Sequence, residues 1–150
     1  CVTRRQRQMC IRDRLYPFGY GLSYTDFEYS KPALSTPILN SNETVSVSVS
    51  VTNTGSYDGD EVVQMYIRDQ ISSATRPVKE LKGYQRIFLK KGETKEVSFD
   101  IDKATLAFYD IDMNYCVEPG DFSIMVGSSS DKKDLKTTTL TVNERMDVNE

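Results

Sequence analysis

The sequence predicts an all-β sandwich, and three features of it do so. Val45, Val47, Val49 and Val51 alternate with Ser46, Ser48, Ser50 and Thr52, so one pleated face carries valine and the other hydroxyl. The same period of two returns at Val63, Met65 and Ile67 against Val62, Gln64 and Tyr66, and at Val97, Phe99 and Ile101 against Glu96, Ser98 and Asp100. Turn-forming residues separate such runs at intervals of roughly ten residues, and no stretch has the 3.6-residue period of an amphipathic helix.

Residues 15–25 interleave Tyr16, Phe18, Tyr20 and Tyr24 with Pro17, Gly19 and Gly21. Turn formers this dense exclude a regular element before about Ser23. The aromatics suit either a platform for stacking on sugar rings or a face that packs on a neighbouring domain. A first strand is expected over Asp26–Lys31, stopped by Pro32, and a loop over Ser35–Glu43 that runs into the glycosylation tripeptide Asn42-Glu43-Thr44. The valine strand and the strand at Val62–Ile67 flank Asn53-Thr54-Gly55-Ser56-Tyr57-Asp58-Gly59-Asp60, and this loop predicts a hairpin. Gln70–Pro77 breaks the sheet. Val78–Leu89 reads as a strand in which Gly83 marks a bulge or a close backbone approach. Lys90-Lys91-Gly92-Glu93 turns the chain into the Val97 strand. Short strands at Leu106–Asp110 and Tyr115–Glu118 bracket a turn at Asp110-Ile111-Asp112. Pro119-Gly120 leads into Phe122, Ile124 and Val126, and Leu135–Val142 supplies a threonine-rich last strand. Residues 144–150 are expected to form a charged, frayed tail. These elements make about seven to eight antiparallel strands in an immunoglobulin-like, fibronectin type III-like sandwich over residues 26–143.

Length and charge narrow the functional classes. With 150 residues and a net charge of −3, the chain suits one domain with its own core. Five of its 19 basic residues, but only one of its 22 acidic residues, fall in residues 1–14, so the remainder is distinctly acidic and offers no broad basic surface to nucleic acid. Residues 1–14 resemble translated sequencing adapter, lack any strand or helix period, and are expected to be a non-native, disordered leader. A basic arm for phosphate or an anionic membrane is the functional alternative. No apolar run approaches the roughly 18–20 residues of a membrane-spanning helix. Cys1 and Cys10 lie in the leader, which leaves Cys116 as a small buried hydrophobe and no disulfide framework.

Catalytic chemistry is sparse. The absence of histidine removes the Ser-His-Asp and Cys-His nucleophiles and every histidine-bearing zinc pattern. Gly19 and Gly21 precede a strand, so they do not form a phosphate-cradling loop at a helix start. Asp58, Asp60 and Glu61 are the densest carboxylates. They lack the spacing of a helix-flanked calcium loop and read as an acidic loop tip. A glycosidase needs two carboxylates facing each other about 5–10 Å apart, and acidic residues here fall on turns and on the polar faces of strands. No catalytic, cofactor-binding or metal-binding residue is therefore expected.

Several motifs carry a resemblance. Tyr16-Pro17-Phe18-Gly19-Tyr20-Gly21-Leu22-Ser23-Tyr24-Thr25, Val51-Thr52-Asn53-Thr54-Gly55, Asp58-Gly59-Asp60-Glu61-Val62-Val63-Gln64 and Arg76-Pro77-Val78-Lys79-Glu80-Leu81-Lys82-Gly83-Tyr84 are four of them. Leu106-Ala107-Phe108-Tyr109-Asp110 and the stretch from Glu118-Pro119-Gly120 to Val126-Gly127-Ser128-Ser129 complete the set. In this order, from Tyr16 to Val142, they resemble the C-terminal fibronectin type III-like domain of family 3 glycoside hydrolases, the β-glucosidases and β-xylosidases. The resemblance implies an accessory, stabilising domain. Its parent would carry the aspartate nucleophile and the acid/base glutamate upstream, so neither role falls on a residue of this chain. It also implies that the Tyr16–Tyr29 region contacts the catalytic domains, that polysaccharide is a further candidate partner, and that the location is periplasmic or secreted. A free-standing carbohydrate-binding or adhesion module is the alternative.

Overall fold

A computed structural model describes residues 15–73 and 77–148. The leader 1–14, with the expectation of disorder attached to it, lies outside the described residues, as do Cys1 and Cys10.

The chain forms two facing sheets. In the first, β4 (Val45–Asn53) is central. One of its edges is shared by β1 (Phe27–Tyr29) and β2 (Ala33–Leu34), and β7 (Thr94–Ile101) runs antiparallel along the other. The second sheet has the order β3 (Ile38–Leu39), β11 (Leu135–Val142), β10 (Gly120–Gly127), β5 (Gly59–Asp69), β6 (Glu80–Leu89), with β3 parallel to β11 and every other pair antiparallel. A small third sheet joins β12 (Met146–Asp147), β9 (Tyr115–Val117) and β8 (Phe108–Tyr109). The one short α-helix among the described residues, α1 (Lys103–Leu106), is capped by Asp102, whose carboxylate accepts from the Thr105 backbone N–H at 2.8 Å.

Alternation in the sequence becomes the core. The four valines of β4 are all buried and join Val63 and Met65 of β5, Phe99 of β7, and Phe122, Ile124 and Val126 of β10 in one cluster. Burying each such side chain contributes roughly 1.5–3 kcal/mol. Gly83 does mark both a bulge and a close approach. The β5–β6 register shifts between Met65 and Tyr66, and a Cβ at Gly83 would stand 3.0 Å from the Phe99 ring.

The sandwich class holds, and three finer expectations are corrected. The valine strand and its successor are not a hairpin: β4 pairs with β1, β2 and β7, whereas β5 pairs with β6 and β10. Both edges of β4 are occupied, so the loop after it crosses from one sheet to the other. Asn53, wholly buried, locks that crossing by using all its side-chain capacity. Its amide nitrogen donates to the Tyr57 and Leu89 carbonyls at 2.8 and 3.2 Å, and its oxygen accepts from the Thr25 hydroxyl at 2.6 Å and the Gly55 N–H at 3.1 Å. Second, the strands are more numerous than eight and include the parallel β3–β11 contact, because two-residue strands with no periodic signature fill sheet edges. Third, the charged tail is not frayed over its described part. Met146 is buried in the core, β12 pairs with β9, and the Val148 N–H donates to the Tyr115 carbonyl at 3.0 Å.

Candidate functional site

The outer face of β5–β6 departs from a solvated sheet. Alternation would leave Gln64 and Tyr66 exposed, yet both are buried, so the middle of β5 is covered on two sides. Residues 18–20 help to cover it. The Gln64 amide nitrogen donates to the Gly19 carbonyl at 3.0 Å and the Ser128 carbonyl at 2.7 Å, while its oxygen accepts from the Tyr66 hydroxyl at 2.5 Å. The Ser130 N–H donates to the Phe18 carbonyl at 2.9 Å. Gly19 holds a φ of +77°, and a Cβ there would lie 1.9 Å from the Gln64 side-chain oxygen. A glycine is required for the segment to lie this close.

The pinned segment displays its aromatics outward. Tyr16 and Tyr20 stack with ring centroids 5.1 Å apart, Leu22 is 89% exposed and Tyr24 96% exposed. Val62, Tyr84 and Phe88 continue the apolar surface on β5 and β6. Val62 is opposite Arg86, Gln64 opposite Tyr84, and Asp60 opposite Phe88, so all six share the outer face. A cleft of about 350 Å³ runs beneath the segment, lined by Tyr20, Leu22, Glu61, Gln64, Ser128 and Asp134 among others.

The acidic cluster of the sequence does not converge. Asp58 accepts from the Lys91 backbone N–H at 2.7 Å, Asp60 pairs with Arg86 at 2.9 Å on the surface, and Glu61 turns inward to accept from the Tyr29 hydroxyl at 2.6 Å. Burial raises the Glu61 pKa, opposed by that hydrogen bond. It also pushes the Tyr29 phenol far up, reinforced by the Glu61 charge. Each carboxylate thus serves a different local tie.

A second polar node, missed from the sequence, lies at the small sheet. Buried Asp110 accepts from the backbone N–H groups of Asp112 and Asn114, both at 2.9 Å, and from Arg145 at 2.8 Å. The Asn114 N–H, then the Arg145 and Asn114 side chains, bring its pKa down to about 2 against the cost of desolvation. Cys116 is buried beside it, its sulfur 3.8 Å from the same carboxylate, and desolvation raises its thiol pKa. Asp110, Asp112 and Asn114 at alternate positions were the available signal, as was an arginine standing alone in the acidic tail.

The profile of the fibronectin type III-like domain matches residues 61–130. The chain carries a fibronectin type III-like domain. The strands before this match complete the same sandwich, since β4 pairs with β7 along eight residue positions. The chain is 54% identical over 128 residues to a β-xylosidase of Formosa agariphila, covering 85% of the chain and 18% of that protein. It is 51% identical over 116 residues to a periplasmic β-glucosidase of Salmonella typhimurium, covering 77% and 15%. Among solved structures it superposes on a β-glucosidase from Listeria innocua with a TM-score of 0.82 at 36% identity, over 89% of the chain and 18% of that enzyme. The fibronectin type III-like domain thus corresponds to less than a fifth of the length of these relatives.

Proposed function

We propose that this domain is a non-catalytic accessory module of a larger β-glucosidase- or β-xylosidase-type hydrolase, and that it stabilises the catalytic part by docking on it. The carrying observation is the apolar face formed by the pinned 15–24 segment with Val62, Tyr84 and Phe88. Large side chains this exposed, held on a backbone fixed by Gln64, form a preorganised contact surface that a free domain has no reason to maintain. The carboxylates Asp58, Asp60 and Glu61 are each engaged in structural ties, in keeping with glycoside hydrolysis being performed by residues outside this chain. Polysaccharide, as a polymer of β-linked glucose or xylose, is the further partner that such a hydrolase would meet.

The test is to produce the upstream reading frame and this chain as separate polypeptides. Mixing them should raise the melting temperature of the catalytic part, and Tyr84→Ala with Phe88→Ala should erase that gain. The isolated chain should leave aryl β-glucosides and β-xylosides unhydrolysed; turnover above the buffer blank, or no effect of mixing, would overturn the reading.

A further inference from the structure

The small sheet carries a built cleft. Tyr109 and Tyr115 are cross-strand partners on β8 and β9, with ring centroids 4.9 Å apart and planes at 41°, so together they form an angled aromatic wall. The wall borders a cleft of about 640 Å³ whose other sides include Met113, Asn114, Arg145 and Asp147. Volumes of roughly 300–1,000 Å³ are those of small-ligand sites.

This cleft is held in shape by a buried residue bonded to its lining. Asp110 fixes the 110–114 turn and the Arg145 guanidinium together, and Arg145 Nε donates to Asp147 at 3.2 Å. Met113, 75% exposed, sits at a φ of +63°, a conformation that an unbranched apolar residue adopts only where its surroundings impose it.

The lining selects the ligand class. An apolar protein surface would have to bury Arg145, Asp147 and Asn114 along with the tyrosines. An anion would meet a guanidinium whose charge is already balanced by two carboxylates. A sugar ring offers an apolar C–H face to an aromatic wall and neighbouring hydroxyls, each able to donate and accept, to a guanidinium that donates, a carboxylate that accepts and an amide that does both. We infer that the cleft between the Asp110 turn and β12 binds a short segment of neutral pyranose oligosaccharide, with Tyr109 and Tyr115 as the stacking wall and Asn114, Arg145 and Asp147 as its hydrogen-bonding edge. That the oligosaccharide is β-linked rests on the reading in the preceding subsection; the site itself rests on this geometry and lies on residues that the docking face does not use.

The experiment is titration of the 150-residue chain with xylohexaose, cellohexaose and laminarihexaose, followed by amide NMR. At least one should bind saturably, with shifts centred on residues 109–115 and 145–148. Tyr109→Ala and Asn114→Ala should each weaken binding roughly tenfold, while Tyr84→Ala on the docking face leaves it unchanged. Both Tyr109 and Asn114 are surface positions, and NMR dispersion verifies that each variant folds. Absence of saturation up to about 10 mM, shifts centred elsewhere, or unaltered binding by both cleft variants would overturn the inference. None of these results bears on whether the chain stabilises a catalytic part, which the mixing experiment reads separately.

Discussion

Asn53 and Asp110 are both buried polar side chains that tie a loop to a strand, yet they work by opposite physics. Asn53 is neutral and closes the crossing between the two large sheets with four partners, every one of them a neutral group. Asp110 is charged, organises a turn at the edge, and needs a guanidinium brought from 35 residues away. A neutral knot keeps its contribution at any pH. A charged one depends on ionisation, and in return it holds an arginine and a turn at the border of a polar cleft. Of these two ties, the neutral one holds the crossing of the sandwich and the charged one shapes a surface.

Removing the neutral knot should cost most. Asn53→Ala strips partners from the Thr25 hydroxyl and the buried Leu89 carbonyl, and should lower stability by about 3 kcal/mol in urea unfolding. That loss should be the same at pH 5 and pH 8; a strongly pH-dependent loss would break the contrast. Gly19→Ala comes next. It imposes a left-handed backbone on a residue with a Cβ and drives that carbon into Gln64, so about 1–2 kcal/mol should be lost. Proteolysis should then cut within residues 15–24 sooner than in the parent chain, before the sandwich itself opens.

The charged knot is read by acid. The Asp110 pKa is depressed in the folded state, so its contribution is complete above the unfolded carboxylate value of roughly 3.9. It is lost as pH falls through the folded value of about 2. Melting temperatures of the parent chain and Asp110→Asn should therefore differ at pH 6 and converge between about pH 4 and pH 2. Smallest is Glu61→Gln. The folded-state pKa of Glu61 is raised, so ionisation works against the fold as pH rises above the ordinary carboxylate range of roughly 4.3. The amide keeps an oxygen to accept from Tyr29 and removes the buried charge, so the variant should match the parent at pH 4 and exceed it slightly at pH 7 by thermal melting.

Periodicity determined the inward valines of β4 and the inward Val63, Met65 and Ile67, because strand alternation is written locally in consecutive residues; with the spacing of the turns it gave the sandwich class, and a glycine inside a strand marked the bulge at Gly83. The motifs likewise pointed to the fibronectin type III-like domain. Which strands lie side by side was decided only in three dimensions. A loop rich in glycine and asparagine fits a hairpin or a crossing equally well, and the choice rests on Thr25 and Leu89 closing around Asn53 from distant parts of the chain. Burial of Gln64 and Tyr66 on the supposedly solvated face depended on residues 18–20 folding back, and Asp110 acquired its partner only when β12 docked beside β9. Local sequence records which way a side chain faces; what meets it there is set by contacts between residues far apart in the chain.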